Sequence, residues 1–186
     1  MKLNNISKSF DGKTVFKDFS LEIPQNKKNA ILGQSGIGKT TLLRIIAGLE
    51  KCDSGKTEFD KDEKISVVFQ EDRLLPFRTV LQNITLVGAS KETALTLLEK
   101  TGLINEKDSY PDTLSGGMKR RVAIARALAF PNYTMLLLDE PFNGQDEETK
   151  SNLITLIKNE TENKTVIMIT HSEKDANELC DNIIRI

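Results

Sequence analysis

The 186-residue sequence predicts an α/β fold whose core is a mostly parallel sheet flanked by helices. Three observations carry that expectation. Apolar runs of strand length alternate with segments of helical periodicity through the second half of the chain. A glycine-rich loop sits between a strand and a helix. A helical stretch lies between two apolar strands, as an insert into the sheet order.

The elements follow in sequence. Val15 to Phe16, Leu21 to Ile23 and Asn29 to Leu32 read as strands, with Asp11-Gly12 as a tight connection. From Lys39 to Leu49 the apolar positions Leu42, Leu43, Ile45, Ile46 and Leu49 recur as on one face of a helix. Ile65 to Phe69 is a buried strand that ends at Gln70, and Leu74 to Arg78 is a loop. Val80 to Leu86 and Glu92 to Thr101 are helical, so residues 71 to 113 are the candidate helical subdomain. Ser115 opens a helix through Phe130, with Lys119, Arg120 and Arg121 near its start. Beyond Pro131-Asn132 come strand Met135 to Asp139, helix Glu147 to Asn159, strand Thr165 to Thr170, helix Glu173 to Leu179 and strand Asn182 to Ile186.

Composition narrows the function classes. Twenty-six basic and 27 acidic residues leave a net charge of -1, so no global field draws the chain to nucleic acid or anionic lipid. Cys52 and Cys180 have neither a metal-ligand spacing nor a disulfide framework, which fits a reducing compartment. The start of the chain is polar, without the apolar stretch of a signal peptide. Runs such as Val166 to Ile169 fall far below the roughly 18 to 20 residues of a membrane span.

The chemistry lies in short motifs. Gly33-Gln34-Ser35-Gly36-Ile37-Gly38-Lys39-Thr40 follows a strand and opens a helix, the setting in which a P-loop cradles phosphates. Its glycines let the backbone approach phosphate oxygens closely, and the N–H groups and the positive end of the helix face the anion. Lys39 supplies a point charge between the β- and γ-phosphates, the Thr40 hydroxyl a ligand for Mg²⁺, and Thr41 a donor for the α-phosphate. Leu136-Leu137-Leu138-Asp139 is an apolar strand tipped by a carboxylate, which can hold the metal or its water shell without reorganising. Glu140 points the other way and is placed as a general base for an attacking water. Ser115 can cap the helix behind it, and the Gly116 and Gly117 amides form a second anion site.

Taken together, the phosphate loop, Gln70, Leu114-Ser115-Gly116-Gly117, Asp139-Glu140 and His171 resemble the ATP-binding cassette (ABC) ATPase domain of ABC transporters, over nearly the whole chain. Leu-Ser-Gly-Gly is the discriminating element. The resemblance implies the P-loop ABC-ATPase fold, with N-terminal antiparallel strands beside the parallel core. It also implies one domain over residues 1–186, with a RecA-like core at 1–70 and 131–186 and the helical insert and signature at about 71–130. It further implies ATP and Mg²⁺ as ligands and two cassettes, most simply two copies of the chain, meeting head to tail. Ser115, Gly116 and Gly117 of one then cap the nucleotide on the other.

By the same resemblance Gln70 reaches the metal and the attacking water, His171 contacts the γ-phosphate, and Phe10 stacks on adenine where the family more often has Tyr. Glu140, His171, Lys39 and Gln70 form the catalytic set, and Thr40, Gln70 and Asp139 the metal set. The insert docks transmembrane permease subunits, which places the chain in the cytoplasm on the inner face of the membrane. Gln70 to Ile84 resembles the matching region of bacterial nitrate, sulfonate and taurine importers, whose permeases work with an extracytoplasmic solute-binding protein. Two positions depart from the family: Met118 stands where Gln is usual, and Phe142-Asn143-Gly144-Gln145-Asp146 keeps only the final acid of Ser-Ala-Leu-Asp. The chain stops soon after the strand that follows His171, as in a minimal cassette. Two rival readings are a soluble ABC ATPase of DNA repair or translation and a non-hydrolytic nucleotide sensor.

Overall fold

The computed structural model describes residues 1–59 and 63–186. Strand β1 (Lys2–Phe10) turns into β2 (Lys13–Glu22) through Asp11 and Gly12, at φ of 48° and 80°. Two consecutive positive φ values give a hairpin turn that matches the twist of its strands. Next come β3 (Lys28–Leu32), α1 (Lys39–Ile46), β4 (Ser54–Glu58) and β5 (Ile65–Val68). The helices α2 (Val80–Thr85), α3 (Lys91–Lys100) and α4 (Gly116–Leu128) follow, and the chain closes with β6 (Met135–Asp139), α5 (Glu147–Glu160), β7 (Thr165–Thr170), α6 (Glu173–Leu179) and β8 (Asn182–Arg185).

Among the described residues the strands form two sheets. β2, β1 and β4 are antiparallel, and the five others run parallel in the order β5-β6-β7-β3-β8. This is the expected α/β cassette architecture, and β6, β7 and α6 have the bounds read from sequence. Strands β1 and β4 were not expected, and β2 is longer than its two predicted pieces. β1 shows why. Its buried Leu3, Ile6 and Lys8 are spaced three and then two apart, because register shifts and Asn5 at φ 48° break the alternation. β4 has no apolar residue to announce it.

Alternation along the parallel strands sorts the core into two layers. Ile31, Met135, Leu137, Ile167 and Ile169 face α1 and the antiparallel sheet, joining Leu42, Leu43, Ile46, Ile6 and Phe16. Ala30, Leu32, Leu136, Leu138, Val166 and Met168 face the other way and pack with residues of α2 to α6. The register pairs Leu32 with Thr170 and Asp139 with Ile169, so β3, β6 and β7 end side by side. The carboxyl edge of an open parallel sheet is where ligands bind in such folds.

Candidate functional site

The loop after β3 owes its shape to glycine. Gly36 and Gly38 have φ of 83° and 109°, and a Cβ on Gly38 would lie 2.6 Å from Val15 Cγ1 and 2.8 Å from Phe16 Cζ. No other residue fits there. The loop delivers the chain into α1, whose N-terminal end has no side-chain cap and no acidic residue in its first turn, so its amides and dipole are left to an anion. Lys39 arches over the loop, its Nζ donating to Gly33 O at 2.7 Å and Gln34 O at 3.0 Å.

Asp139 ends the fully buried β6 and is itself 2% exposed. Thr40 Oγ1 donates to its Oδ2 at 3.1 Å. Burial pushes the Asp139 carboxyl above its ordinary value, against the pull of the Thr40 hydrogen bond. Glu140 then turns the chain at φ 47°, a left-handed conformation that costs a side-chain-bearing residue about 1–3 kcal/mol. Its N–H donates to Ile169 O at 2.9 Å. Its carboxylate accepts from Thr170 Oγ1 at 3.1 Å and lies 2.9 Å from His171 Nδ1. Two adjacent acids are thereby separated, one toward the phosphate loop and one toward the end of β7.

These groups share a cleft of about 290 Å³ lined by Val15, Ser35, Gly36, Gly38, Lys39, Thr40, Thr41, Gln70, Asp139, Glu140 and Ile169. Of the candidates named from sequence, the cleft gathers the loop, Gln70 and both carboxylates, with His171 attached through Glu140. Gln34 and Ile37 are exposed on the loop. Phe10 lies outside the lining; the residue is 41% exposed, with Lys8 Nζ 4.7 Å from its ring centroid. Ser115, Gly116 and Gly117 are outside it as well. Ser115 caps α4, its Oγ accepting from Met118 N at 3.2 Å, and Gly116 is exposed. The Met118 side chain packs against the core beneath.

In the sequence Arg120 stands out only as one of three basic residues at a helix start. It is 4% exposed and reaches into the floor of the site. Nε donates to Pro141 O at 3.2 Å, Nη1 to Phe69 O and to Gln70 O at 3.4 Å, and Nη2 to Asp139 O and to Glu140 O at 2.8 Å. Asp72 lies 3.5 Å from Nη1. Burial lowers the guanidinium's pKa and raises that of Asp72, and the pairing opposes both shifts. Helical spacing held the signal: residue 120 shares a stripe with the buried Ala123, Ile124 and Ala127.

A loop of amides, a lysine, an alcohol beside a carboxylate and a second carboxylate braced by imidazole can bind a polyphosphate and deprotonate a water beside it. Thr40 Oγ1 and Asp139 Oδ2 are hard oxygens at hydrogen-bond distance, a pair suited to Mg²⁺, which takes few protein ligands and fills its sphere with phosphate and water.

Comparison with known proteins agrees with this geometry. A family model for ABC transporters matches residues 16–143. The sulfate/thiosulfate import ATP-binding protein CysA of Escherichia coli K12 is 39% identical over 207 residues, covering 99% of this chain and 56% of that protein. The chain thus spans little more than half the length of that relative. The aliphatic sulfonates import ATP-binding protein SsuB of Zymomonas mobilis is 40% identical over 195 residues, covering 99% of this chain and 80% of that protein. A dimeric structure of the ATP-binding cassette MJ0796 in a post-hydrolysis state, bound to ADP and Pi, superposes with a TM-score of 0.88 at 32% identity, over the whole of this chain and 93% of that one. With the family model over residues 16–143 and relatives near 40% identity along almost its entire length, the chain belongs to the ABC transporter family.

Proposed function

We propose that the chain is the ATP-binding and hydrolysing subunit of an importer for a small oxyanion or sulfonate-like solute, acting as a head-to-tail pair. The observation that carries the reading is the sharing of one cleft by the phosphate loop, Thr40–Asp139 and Glu140, the last held from outside the lining by His171. On binding, Lys39 Nζ exchanges the Gly33 and Gln34 carbonyls for β- and γ-phosphate oxygens, and the amides of the loop and of α1 hold the rest of the chain of phosphates. Thr40 and Asp139 would hold Mg²⁺, which would supply positive charge to offset the negative charge that develops on the phosphates. Gln70 orients a water at the γ-phosphate. Glu140 accepts a proton from that water as its oxygen bonds to γ-phosphorus, while the bond to the bridging oxygen breaks and ADP leaves with the electron pair. His171 and Thr170 fix the carboxylate from the other side.

Ser115 to Gly117 lie outside this chain's own cleft, which accords with a role on the nucleotide of a second copy. The names of the import relatives and the dimeric cassette support a pair that serves a permease. Phe10, at the end of β1, is the residue proposed to stack on adenine. Residues 71 to 113 are the segment proposed to dock that permease, and a solute-binding protein completes the importer. Met118, partly buried against the core, leaves the capping of α4 by Ser115 in place.

The test is Glu140→Gln with Mg·ATP. Hydrolysis should fall by at least about 100-fold, with nucleotide binding retained and an ATP-dependent dimer accumulating on size exclusion. A Gln variant that turns over like the wild type contradicts the role given to Glu140.

A further inference from the structure

The Arg120 side chain joins three parts of the site that are far apart in sequence. All five guanidinium N–H groups are used, on the carbonyls of Phe69, Gln70, Asp139, Glu140 and Pro141. Consecutive carbonyls in a strand point to opposite sides. Three in a row converge on one cation here because Glu140 sits at φ 47°. The turn that aims the Glu140 carboxylate at His171 is therefore the same turn that the guanidinium grips from behind.

The helix carrying Arg120 begins with Ser115 as its cap. A second tie runs beside the first. Gln145, in the loop that departs from the family pattern, donates from Nε2 to Gly117 O at 3.0 Å. A Cβ on Gly117 would lie 2.9 Å from Gly144 O, so the signature turn and this loop are in direct contact. Further along α4, Arg126 donates to Arg73 O at 2.8 Å and Asp72 O at 2.9 Å, holding the stretch just after Gln70. α4 thus grips the Gln70 segment and the carboxylate turn with rigid, fork-shaped donors rather than with a compact ammonium.

We propose that Arg120 is a positioning residue for hydrolysis, fixing Glu140 and Gln70 in one frame with the Ser115–Gly117 turn. Nucleotide presented to that turn by a second copy of the chain then sets the geometry at this chain's own Glu140. The inference rests on the function proposed above. It adds a route by which the two nucleotide sites of a pair sense each other, with Gln145 as the auxiliary tie.

The experiment measures steady-state ATP hydrolysis, equilibrium binding of a fluorescent ATP analogue and thermal melting for the full chain as wild type, Arg120→Met, Arg120→Lys and Gln145→Leu. For folded R120M, kcat should fall about 30- to 100-fold while the analogue's Kd stays within about twofold, because binding groups are kept and only alignment is lost. R120K, which keeps the charge but cannot serve both sides of the fork, should recover part of the loss. Q145L should lower kcat about threefold at unchanged Kd. In each variant the dependence of rate on ATP should lose steepness.

Folded R120M or R120K with wild-type kcat overturns the proposal. So does a loss of binding in step with turnover, which is what a purely structural arginine would give. Should R120M fail to fold, R120K and Q145L decide by the same criteria. A wild type that binds but does not hydrolyse ATP overturns the function beneath, and is told apart because it fails before any variant is compared.

Discussion

At the scale of single residues, Asp139 carries opposed demands. A carboxylate buried at the end of an apolar strand is poorly solvated, and its pKa rises above the ordinary 3.8 for that reason, despite the Thr40 hydrogen bond and the nearby Arg120 and Lys39 charges. The sign follows from linkage. With its pKa raised on folding, the folded chain holds this proton more tightly than the unfolded chain, so stability from this group grows as pH falls toward 3.8. At neutral pH the ionised form is a cost. Asp139→Asn keeps an acceptor for Thr40 and removes that cost. In the absence of metal and nucleotide its melting temperature should rise by about 2–4 °C, for a gain near 1 kcal/mol. Its hydrolysis should fall by about 100-fold or more, since an amide holds a divalent cation poorly. A variant melting below the wild type in calorimetry contradicts the account of Asp139.

The same residue shows what sequence could reveal. An apolar run ending in two acids behind a glycine loop is a pattern of local origin, and local patterns survive reading in one dimension. Arg120 belongs to no such pattern. Between Lys119 and Arg121 it reads as solvated charge, and only the path of the carbonyls around Glu140, a tertiary fact, turns it inward.

Among the elements, the starts of α5 and α6 are tied together just behind the site. Asp146 caps α5, its Oδ1 accepting from Thr149 N at 2.9 Å and its Oδ2 from Thr149 Oγ1 at 2.7 Å. Glu147 pairs with Lys150 at 2.8 Å and with Lys174 of α6, and Lys150 also reaches the buried Asp175 at 3.1 Å. α5 follows the loop that holds Gln145, and α6 follows His171, so the network braces both against each other. The hydrogen bonds from Lys150 and Lys174 hold the Glu147 pKa down to about 2, from an ordinary 4.5. A carboxylate depressed on folding gives stability that is present above its unfolded value and lost as pH falls through its folded one. The window is therefore pH 4.5 down to about 2. Urea melts of wild type and Glu147→Gln at low salt should differ at pH 7, with the variant weaker, and converge near the bottom of that window. Physiological salt should shrink the difference, because these charges face water. A gap that widens on acidification contradicts the assignment. Asp146 was legible as the retained acid of the altered loop, and as a cap it follows ordinary helix-start rules. The lysine network was not legible, since it joins helices that meet only after β7 has been threaded into the sheet.

On the scale of the whole molecule, the parallel sheet collects the chemistry at one edge while the segment after Gln70 carries apolar surface outward. Phe77 is 90% exposed, and Leu75, Leu86 and Tyr110 are 40%, 61% and 47% exposed. Exposure of so large an aromatic is not slack in the chain. The fully buried Asn83 accepts from Leu75 N at 2.8 Å and donates to Arg78 O and Thr79 O at 3.0 Å each, fixing the loop that displays the ring. A rigid loop that holds a phenylalanine in water gains nothing for the folded monomer, but it meets the needs of a partner with an apolar pocket. The same loop leads directly from Gln70, whose carbonyl Arg120 binds, so a partner on Phe77 is mechanically close to the hydrolytic groups. Phe77→Ser should therefore leave melting within about 0.5 kcal/mol of wild type, as for other exposed substitutions, and leave basal ATP hydrolysis and nucleotide binding unchanged. It should release the chain from membranes that contain the proposed permease, read as loss of co-sedimentation and of the permease-dependent part of the ATPase rate. Retention of both at wild-type levels would remove the segment after Gln70 from the docking surface and leave the exposed ring without a purpose in the proposed importer.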